Sequence, residues 1–459
     1  MDTETILMNH RPPEEPDKQT MSIEALMEGC PAAFIDFYYL TTAGDGVADD
    51  QPSAAQVAAR LAAGQAADAL DAKKIEEFID DEVDPEHMPF VRDALVHAES
   101  SAREGDDAGT QDAFRSIAEF FLKVGDPRKG IFFYEKRLKA ARKAKDPAAE
   151  MVADGDLGRV YESMGDIPHA IAAYERLVAV AAADGSRDDV SSSRRHLIRA
   201  YNAAADAKTR EGDGDGAVRF LTSALDVARK EGESDGGVLL EADANYRLGL
   251  ALARIGEHAA ALERQDDHLT LCARKASPVD AVGAGKARRA LAASRLAMRD
   301  AAIASGETAA AEAHQREAAR CLEFFLDGEP PDNGGGGGGG MSAILLAKAR
   351  EAETEEESGG KGVVRDPGAD ARAWCTLGKI RSAEGEHAKA ASCFEKFFEL
   401  ARGLSDQRLL DVARINLGIA RGKVKQEKFM STVLHAGEDG TKEGSEALGN
   451  LLSWKVARA

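Results

Sequence analysis

Three segments of the chain carry the same pattern of small residues at the same spacing. Each has a Leu-Gly pair, a second glycine seven residues after the first, and an alanine five residues after the second glycine. A pattern that recurs with fixed spacing indicates an internal repeat, in which one structural unit is stacked several times. The residues concerned are Leu157, Gly158, Gly165 and Ala170, then Leu248, Gly249, Gly256 and Ala261, then Leu377, Gly378, Gly385 and Ala390.

The spacing is typical of tetratricopeptide repeats, which consist of two antiparallel helices, A and B. We expect the first glycine to lie in helix A where helix B crosses, with the alanine of helix B facing it, because a larger side chain would separate the helices. The second glycine should end helix A, since a residue without Cβ turns easily there. The leucines fill the groove between the helices, and larger core contacts are expected from Tyr161, Tyr174, Trp374 and Phe394.

Weaker copies of the pattern extend the array. The turn glycines occur at positions 125, 165, 212, 256, 306 and 385, so the gaps are 40, 47, 44, 50 and 79 residues. The commonest tetratricopeptide repeat has about 34 residues, and these repeats must therefore have longer helices or longer connections. The gap of 79 contains an insertion, because the glycine-rich run at 330–340 and the acidic stretch after it favour a flexible loop.

These observations predict an all-α chain, a tetratricopeptide-repeat (TPR) solenoid of antiparallel helix pairs with an N-terminal helical cap. Runs of Val, Ile and Thr with the period of two that strands need are absent. The expected division is a disordered N-terminus at 1–20, an acidic helical region at 21–105, the TPR solenoid at 106–329, the flexible insertion at 330–370, C-terminal repeats at 371–430 and a tail at 431–459.

The chain is acidic, and the acidity is concentrated at one end. The formal net charge is −21, and residues 1–110 contribute −18 of it, from 25 acidic and 7 basic side chains. Such a charge argues against binding to nucleic acid, whose phosphates need a basic face, and against docking on anionic membranes. The same reasoning predicts no direct binding to bare microtubules, since the exposed tubulin tails are also acidic.

The sequence predicts no catalytic set, no metal site and no cofactor. The GAGKARR run at 283–289 lacks the first glycine and the hydroxyl residue of a phosphate-binding loop. The GDGDG run at 212–216 has Ala224 where a calcium loop needs a bidentate Glu. His258 and His387 occupy equivalent repeat positions, without a second ligand at metal-binding spacing. The five cysteines include no CxxC pair, which fits reduced thiols.

TPR arrays bind their partners on a concave face that helix A side chains line. The candidate partner contacts on this face are Arg159, Glu162, Asp243, Tyr246, Arg372 and Lys379. Their mixed charge predicts recognition of a folded or helical protein segment. Chaperone-binding arrays hold a peptide carboxylate with Lys and Asn at two such positions, and that clamp is absent from this sequence.

The two ends of the repeat array resemble one family, that of tetratricopeptide repeat protein 29. At the N-terminal end the match is the aromatic-rich segment 22–40, through Leu26, Gly29, Phe34 and Phe37. At the C-terminal end the match is a Leu-Leu-Ser-Trp-Lys-x-x-Arg segment at 451–458. The order of the repeats between these ends fits as well, so the resemblance covers about residues 21–458.

This resemblance implies a non-enzymatic scaffold of the axoneme in motile cilia and flagella, with a role in flagellar assembly and beating. The implied partners are axonemal, dynein-associated or intraflagellar-transport proteins, and the implied location is the cytoplasm, the cytoskeleton and the ciliary axoneme. The C-terminal 53 residues, from Gln407, have nine basic and six acidic side chains. Trp454 in the tail is the candidate anchor for an acidic partner, or else it caps the last repeat. The alternative function is a cytosolic TPR adaptor, similar to kinesin light chain, that binds cargo or motor-linked peptides.

Overall fold

The computed structural model describes residues 18–42, 83–232, 235–275, 280–326, 366–436 and 442–456. Within these ranges the chain forms α-helices, one 3₁₀ turn at Pro85–His87 and one π turn at Leu271–Lys275, and no strand. The chain divides into two compact units, residues 1–204 and 205–459. The all-α fold class expected from the sequence is confirmed.

The first unit contains an N-terminal cap followed by helix pairs. The cap consists of two helices that pack on α3, and α4 then pairs with α5 as α6 does with α7. Helix α8 continues past the end of this unit. The helices are α1 Lys18–Met27, α2 Pro31–Thr42, α3 Met88–Glu104, α4 Asp107–Val124, α5 Pro127–Ala144, α6 Pro147–Met164, α7 Ile167–Asp184 and α8 Arg187–Glu211.

The second unit repeats the same arrangement of neighbouring helices. Helix α10 pairs with α11, α12 with α13, and α14 with α15, while the long helix α16 packs on α15 and carries α17. The helices are α9 Gly214–Arg229, α10 Asp235–Arg254, α11 His258–Thr270, α12 Ala281–Ser305, α13 Thr308–Leu326, α14 Pro367–Ala383, α15 His387–Gly403, α16 Gln407–Ala436 and α17 Lys442–Val456.

A glycine in the left-handed backbone conformation ends helix A of each repeat. The turn glycines at 125, 165, 212, 256, 306 and 385 all have φ between 78° and 93°, a region that residues with a Cβ rarely adopt. The residue after each of these glycines immediately precedes helix B. Asp126, Asp166 and Asp213 cap that helix by accepting a hydrogen bond from a backbone N–H three residues later, whereas the longer Glu257 and Glu386 make no such side-chain bond.

The core of the first unit differs from the packing of α12, α13 and α14 in the second unit. The first unit buries a cluster of large rings, in which Phe121 and Phe133 stack with their centroids 5.7 Å apart. The second unit packs α12, α13 and α14 mainly through small side chains such as Ala292 and Ala318, with Leu322 beside them. Small residues let helices approach closely, so these three helices pack together with few buried rings.

The helix bounds differ from the expected domain division at three places. Helix α1 begins at Lys18, inside the segment 1–20 expected to be disordered, and α14 begins at Pro367, inside the expected insertion 330–370. Helix α16 runs without a break to Ala436, because no proline or turn glycine interrupts it at 430. The expected features at 1–17, 43–82 and 327–365 lie outside the described residues.

Candidate protein-interaction surfaces

The crossing of helix A and helix B is closed by a glycine under an aromatic ring. A Cβ atom built on Gly158 would lie 2.4 Å from Cε1 of Tyr174, and one built on Gly378 would lie 2.7 Å from Cε1 of Phe394. Real Cβ atoms do not approach other atoms this closely, so the crossing admits only glycine unless the ring moves. The ring of Tyr174 or Phe394 is therefore the nearest group to the glycine of its crossing, a contact that the expected pairing of glycine with alanine did not include.

The alanines and leucines of the pattern are buried around this crossing. Ala170, Ala261 and Ala390 are fully buried, one helical turn before the position that carries the ring in helix B. Their small side chains let helix B lie close to helix A, and the Ala261 carbonyl oxygen lies 3.4 Å from a Cβ atom built on Gly249. The leucines at the groove are also buried, at Leu157, Leu248 and Leu377.

The repeat formed by α10 and α11 has a polar side chain where the other two have a ring. A Cβ atom built on Gly249 would lie 3.0 Å from Cγ of Gln265, which is fully buried. Oε1 of Gln265 accepts a hydrogen bond of 3.1 Å from Oγ of Ser294 on α12, while its Nε2 has no partner among the described residues. This crossing is therefore held by a buried hydrogen bond to the next helix instead of by ring packing.

Two other aromatic residues of the pattern lie half-buried at the edges of the core. The ring of Tyr161 stacks on His169, with the centroids 5.2 Å apart, and burial raises the pKa of the Tyr161 hydroxyl to about 12. The ring of Trp374 lies under the ammonium group of Lys396, at 4.0 Å from the ring centroid. Both rings are thus used within the chain, as structural contacts between adjacent helices.

Glu162, a predicted partner contact, is the centre of a hydrogen-bonded network. Arg199 on α8 donates two hydrogen bonds of 2.8 Å to its two carboxylate oxygens, and the Tyr174 hydroxyl on α7 donates another of 3.0 Å. Burial acts to raise the pKa of Glu162, but the bonds from Arg199 and Tyr174 outweigh it and hold that pKa below its usual range. This side chain is committed to joining three helices of the first unit.

Four of the other five candidates also contact residues of their own chain. Arg159 forms an ion pair with Asp156, Asp243 pairs with Arg247 at 2.9 Å, Arg372 approaches Asp366 to 3.6 Å, and the Tyr246 ring lies 5.2 Å from the His268 ring. Lys379 is exposed and makes no ion pair with any described residue. The mixed charge of helix A is therefore partly neutralised within the chain, which sequence spacing did not reveal.

A buried group of polar side chains in the second unit was not found from the sequence. The Cys272 thiol lies 3.6 Å from Nδ1 of His268 and 3.6 Å from Oδ2 of Asp280. The imidazole nitrogens lie 2.7 Å from the Ala242 carbonyl and 3.1 Å from the Gly283 carbonyl. The signal available was the spacing of four between the histidine and the cysteine, which places both on one face of a helix.

This group of buried side chains holds its helices together and does not form a reactive thiol. Burial raises the pKa of the Cys272 thiol to about 12, and the neighbouring Asp280 carboxylate acts in the same direction. The nucleophile of thiol chemistry is the thiolate, which this environment disfavours. Burial also lowers the pKa of His268, so the neutral imidazole is favoured even though the two carbonyls would each accept a hydrogen bond from the protonated ring.

The described residues contain neither a metal site nor a helix that crosses a membrane. No group of three or more His, Cys, Asp or Glu side chains among them is placed to hold a metal ion. No helix of the described ranges is both long enough and apolar enough to cross a membrane. Trp454 lies on α17, but its side chain is outside the described part of the structure, so its role as an anchor stays a prediction.

Comparison with known proteins identifies the repeat. A family model described as tetratricopeptide repeat matches residues 371–403, the segment that includes the crossing of Gly378 and Phe394. Residues 371–403 form a tetratricopeptide repeat. Together with the paired helices and the left-handed turn glycines, this match confirms the TPR solenoid as the fold class and a protein-interaction scaffold as the general type of protein.

A human protein matches most of the chain. Tetratricopeptide repeat protein 29 of Homo sapiens is 22% identical over 384 residues, which are 82% of this chain and 68% of that protein. This match confirms the resemblance found from the two ends of the array.

Solved structures show weaker likeness. A Podospora anserina protein named as a kinesin light chain with nearly identical TPR-like repeats is 17% identical, with a TM-score of 0.31, over 57% of this chain and 99% of that one. A tetratricopeptide repeat protein of Parabacteroides merdae is 16% identical, with a TM-score of 0.25, over 67% and 98%. Both TM-scores are low, so neither structure adds to the assignment of a partner.

Proposed function

We propose that this chain is a non-enzymatic scaffold of motile cilia or flagella that takes part in axoneme assembly and beating. The observation that supports the proposal is the 22% identity to human tetratricopeptide repeat protein 29 across 82% of the chain. The terminal segments add to this support, because they lie outside the repeat pattern that all TPR proteins share. The partners proposed are axonemal, dynein-associated or intraflagellar-transport proteins.

The charge distribution constrains how such a scaffold reaches the axoneme. Residues 1–110 carry a net charge of −18 and are repelled by the acidic tails of tubulin. The chain should therefore bind through a protein partner. We expect that the purified protein does not cosediment with bare microtubules at low salt; robust cosedimentation that salt weakens would contradict this part of the proposal.

The location of the protein tests the proposed function directly. The endogenous protein is tagged in a ciliated cell, cilia are isolated, and detergent separates the membrane and matrix fraction from the axoneme. We expect ciliary enrichment, with retention on the axoneme through moderate salt for a structural component or release with the matrix for an assembly factor. A diffuse cytosolic signal without ciliary enrichment would contradict the proposal and would favour the alternative, a TPR adaptor for cargo or motor-linked peptides.

A further inference from the structure

The long helix α16 is apolar on two opposite faces. One face is buried against α15, through Ala413, Leu417 and Ala420. The opposite face carries a second set of apolar side chains, which are 39% to 61% exposed. We call this set the outward stripe; it consists of Val412, Ile415, Ile419, Phe429, Met430 and Val433. A helix that only covered a repeat core would need one apolar face, so the second face requires its own explanation.

The outward stripe has the spacing of a coiled-coil seam. The seam runs through positions 412, 415, 419, 422, 426, 429 and 433, so its steps alternate between three and four residues. All of these positions are apolar side chains except Gly422 and Gln426. This alternation places a seam along one side of a helix, where a second helix can lie against it. The stripe extends over most of the 30 residues of α16.

Two exposed glycines lie here, Gly422 on the seam and Gly418 beside it. A Cβ atom built on Gly418 or Gly422 would meet no atom of this chain within 4 Å. Glycine in an exposed helix interior costs about 0.5–1 kcal/mol relative to alanine, and no contact within the described chain accounts for its presence here. Glycine at a seam does allow another backbone to approach closely, which fits a partner helix lying along α16.

Helix α17 does not cover the outward stripe. It packs on α16 and buries its own Gly444 and Ala447, yet the stripe side chains keep their exposure with α17 in place. Ile415 and Ile419, at the N-terminal end of the stripe, are 61% and 54% exposed. The N-terminal part of the stripe is therefore available to a partner in the described structure.

The charges beside the stripe identify the kind of partner. Helix α16 has six basic and two acidic side chains. Arg414 pairs with Asp411, and Arg421 pairs with Glu395 on α15. The remaining cations make no ion pair with any described residue, and they are Arg408, Lys423, Lys425 and Lys428. Lys423 and Lys425 lie on either side of the seam between Gly422 and Gln426, in the positions that face a partner's flanking charges in a coiled coil.

We propose that the outward stripe of α16 binds an acidic amphipathic helix of a partner protein, laid alongside it as in a coiled coil. The partner's apolar seam covers the stripe, and its flanking carboxylates pair with Lys423 and Lys425. A second copy of this chain would bring lysines against lysines, which disfavours self-association through this face. An anionic membrane is disfavoured by the net charge of −21 on the whole chain.

This inference rests on the scaffold function proposed above but does not depend on the ciliary location. It replaces the general expectation of an acidic partner for the C-terminal tail with a defined surface. Its test uses purified protein and a synthetic helix, so a failure in cilia and a failure of this surface give separate results.

The probe is a designed amphipathic peptide of about four heptads, with leucine at the seam and glutamate at the flanking positions. Binding to the full-length protein is measured by fluorescence anisotropy and by calorimetry at several salt concentrations. The same peptide with lysine in place of the flanking glutamates, and a scrambled acidic peptide, serve as ligand controls. We expect the acidic helix to bind at least tenfold more tightly than either control, with an affinity that falls as salt rises.

The matching protein variants change exposed residues only. The double variant Ile415→Glu/Ile419→Glu should lose at least tenfold in affinity for the acidic helix, and Lys423→Gln/Lys425→Gln should weaken its binding and reduce the salt dependence. Ile303→Glu is the control, because Ile303 on α12 is 60% exposed and lies off the stripe. All three variants should keep the far-ultraviolet circular dichroism and the thermal midpoint of the parent, since none removes a buried contact.

Three results would overturn the proposal. The first is equal binding of the acidic and basic helices, or unchanged binding in the Ile415→Glu/Ile419→Glu variant. The second is a dimer in sedimentation equilibrium that the same variant abolishes, which would assign the stripe to a second copy. The third is flotation with vesicles rich in phosphatidylserine that the same variant abolishes, which would assign the stripe to a membrane surface.

Discussion

The repeat of α6 and α7 and the repeat of α10 and α11 place a glycine at the same crossing, but they oppose it with different side chains. The first uses the ring of Tyr174 against Gly158, and the second uses the amide of Gln265 against Gly249. The small residue is thus the constant requirement of the crossing, because it sets how closely the helices approach. The residue that covers it can be apolar or polar, provided that a polar one finds a hydrogen bond such as that from Ser294.

The two repeats also differ where helix B begins. Asp166 accepts a hydrogen bond from the backbone N–H of His169, whereas Glu257 makes no side-chain bond of this kind. The ring-packed repeat therefore has both a capped helix B and a tightly filled crossing. The amide-packed repeat lacks the cap, and a flexible side chain fills its crossing, so we expect mutations to be more costly in the first than in the second.

The largest expected effect comes from removing the side chain that covers the glycine. Tyr174→Ala should lower the free energy of unfolding by about 3–5 kcal/mol, because Tyr174 is fully buried and its loss leaves a cavity. Gln265→Ala should cost less, about 1–2 kcal/mol, since it removes a smaller side chain and one hydrogen bond. Denaturant unfolding of both variants measures the difference. Equal costs would show that the ring has no advantage over the amide.

The next effect comes from adding a single methyl group at the crossing. Gly158→Ala should destabilise the protein by about 1–3 kcal/mol, because the new Cβ would lie 2.4 Å from a buried ring. Gly249→Ala should be close to neutral, since Gln265 can move slightly and alanine favours the helix by about 1 kcal/mol. Thermal unfolding of the two variants compares them, and a stabilising effect of Gly158→Ala would contradict the crossing described above.

A smaller and pH-dependent effect is expected from Glu162. Its pKa is lowered in the folded protein, so its contribution to stability is present above the unfolded-state pKa of about 4.3 and is lost as the pH falls through the folded-state pKa. Glu162→Gln should therefore cost about 1 kcal/mol near neutral pH, and the cost should shrink below about pH 4. The free energies of unfolding of parent and variant, measured from pH 3 to pH 7, give this difference.

The partner side chain provides the control for this prediction. Arg199→Met should cost a similar amount near neutral pH and weaken the same pH dependence, because Arg199 makes two of the three bonds that lower the Glu162 pKa. The double variant should cost little more than either single variant. An unchanged pH dependence in Arg199→Met would mean that another group causes it.

The smallest expected effect has the opposite sign. Gly418→Ala should stabilise the isolated protein by about 0.5–1 kcal/mol, since the glycine lies within α16 and an added Cβ meets nothing. It is the counterpart of Gly158→Ala, because the same substitution in a helix changes sign with the space around the residue. Destabilisation by Gly418→Ala would show that the position is packed in solution.

The parts of this fold that local chemistry determines were predicted from the sequence. The turn at Gly165 needs a left-handed residue, and that need is visible in one residue and its spacing. The ring that lies nearest to Gly158 was not predicted, because the rotation of helix B about its axis depends on packing over the whole repeat. The ring of Tyr174 supplies that contact, and the expected place of Ala170 opposite the glycine stays a prediction.

The candidate partner contacts were less predictable for a similar reason. Glu162 and Arg199 are 37 positions apart in the chain, so no helical spacing connects them, and only the folded repeat shows that they pair. The outward stripe of α16 was visible in the sequence as apolar residues at spacings of three and four. It could not be separated from a core face, because both faces of that helix carry apolar residues and only burial distinguishes them.

The network around Glu162 has a consequence for how the first unit opens. It links α6, α7 and α8. The bonds from Arg199 on α8 to Glu162 on α6 therefore connect one repeat to the next across α7. In a repeat protein, cooperativity depends on the coupling between neighbours relative to the stability of each repeat. Breaking this link should let α6–α7 and α8 unfold in separate steps, which hydrogen exchange would detect as two groups of amides with different opening free energies where the parent has one.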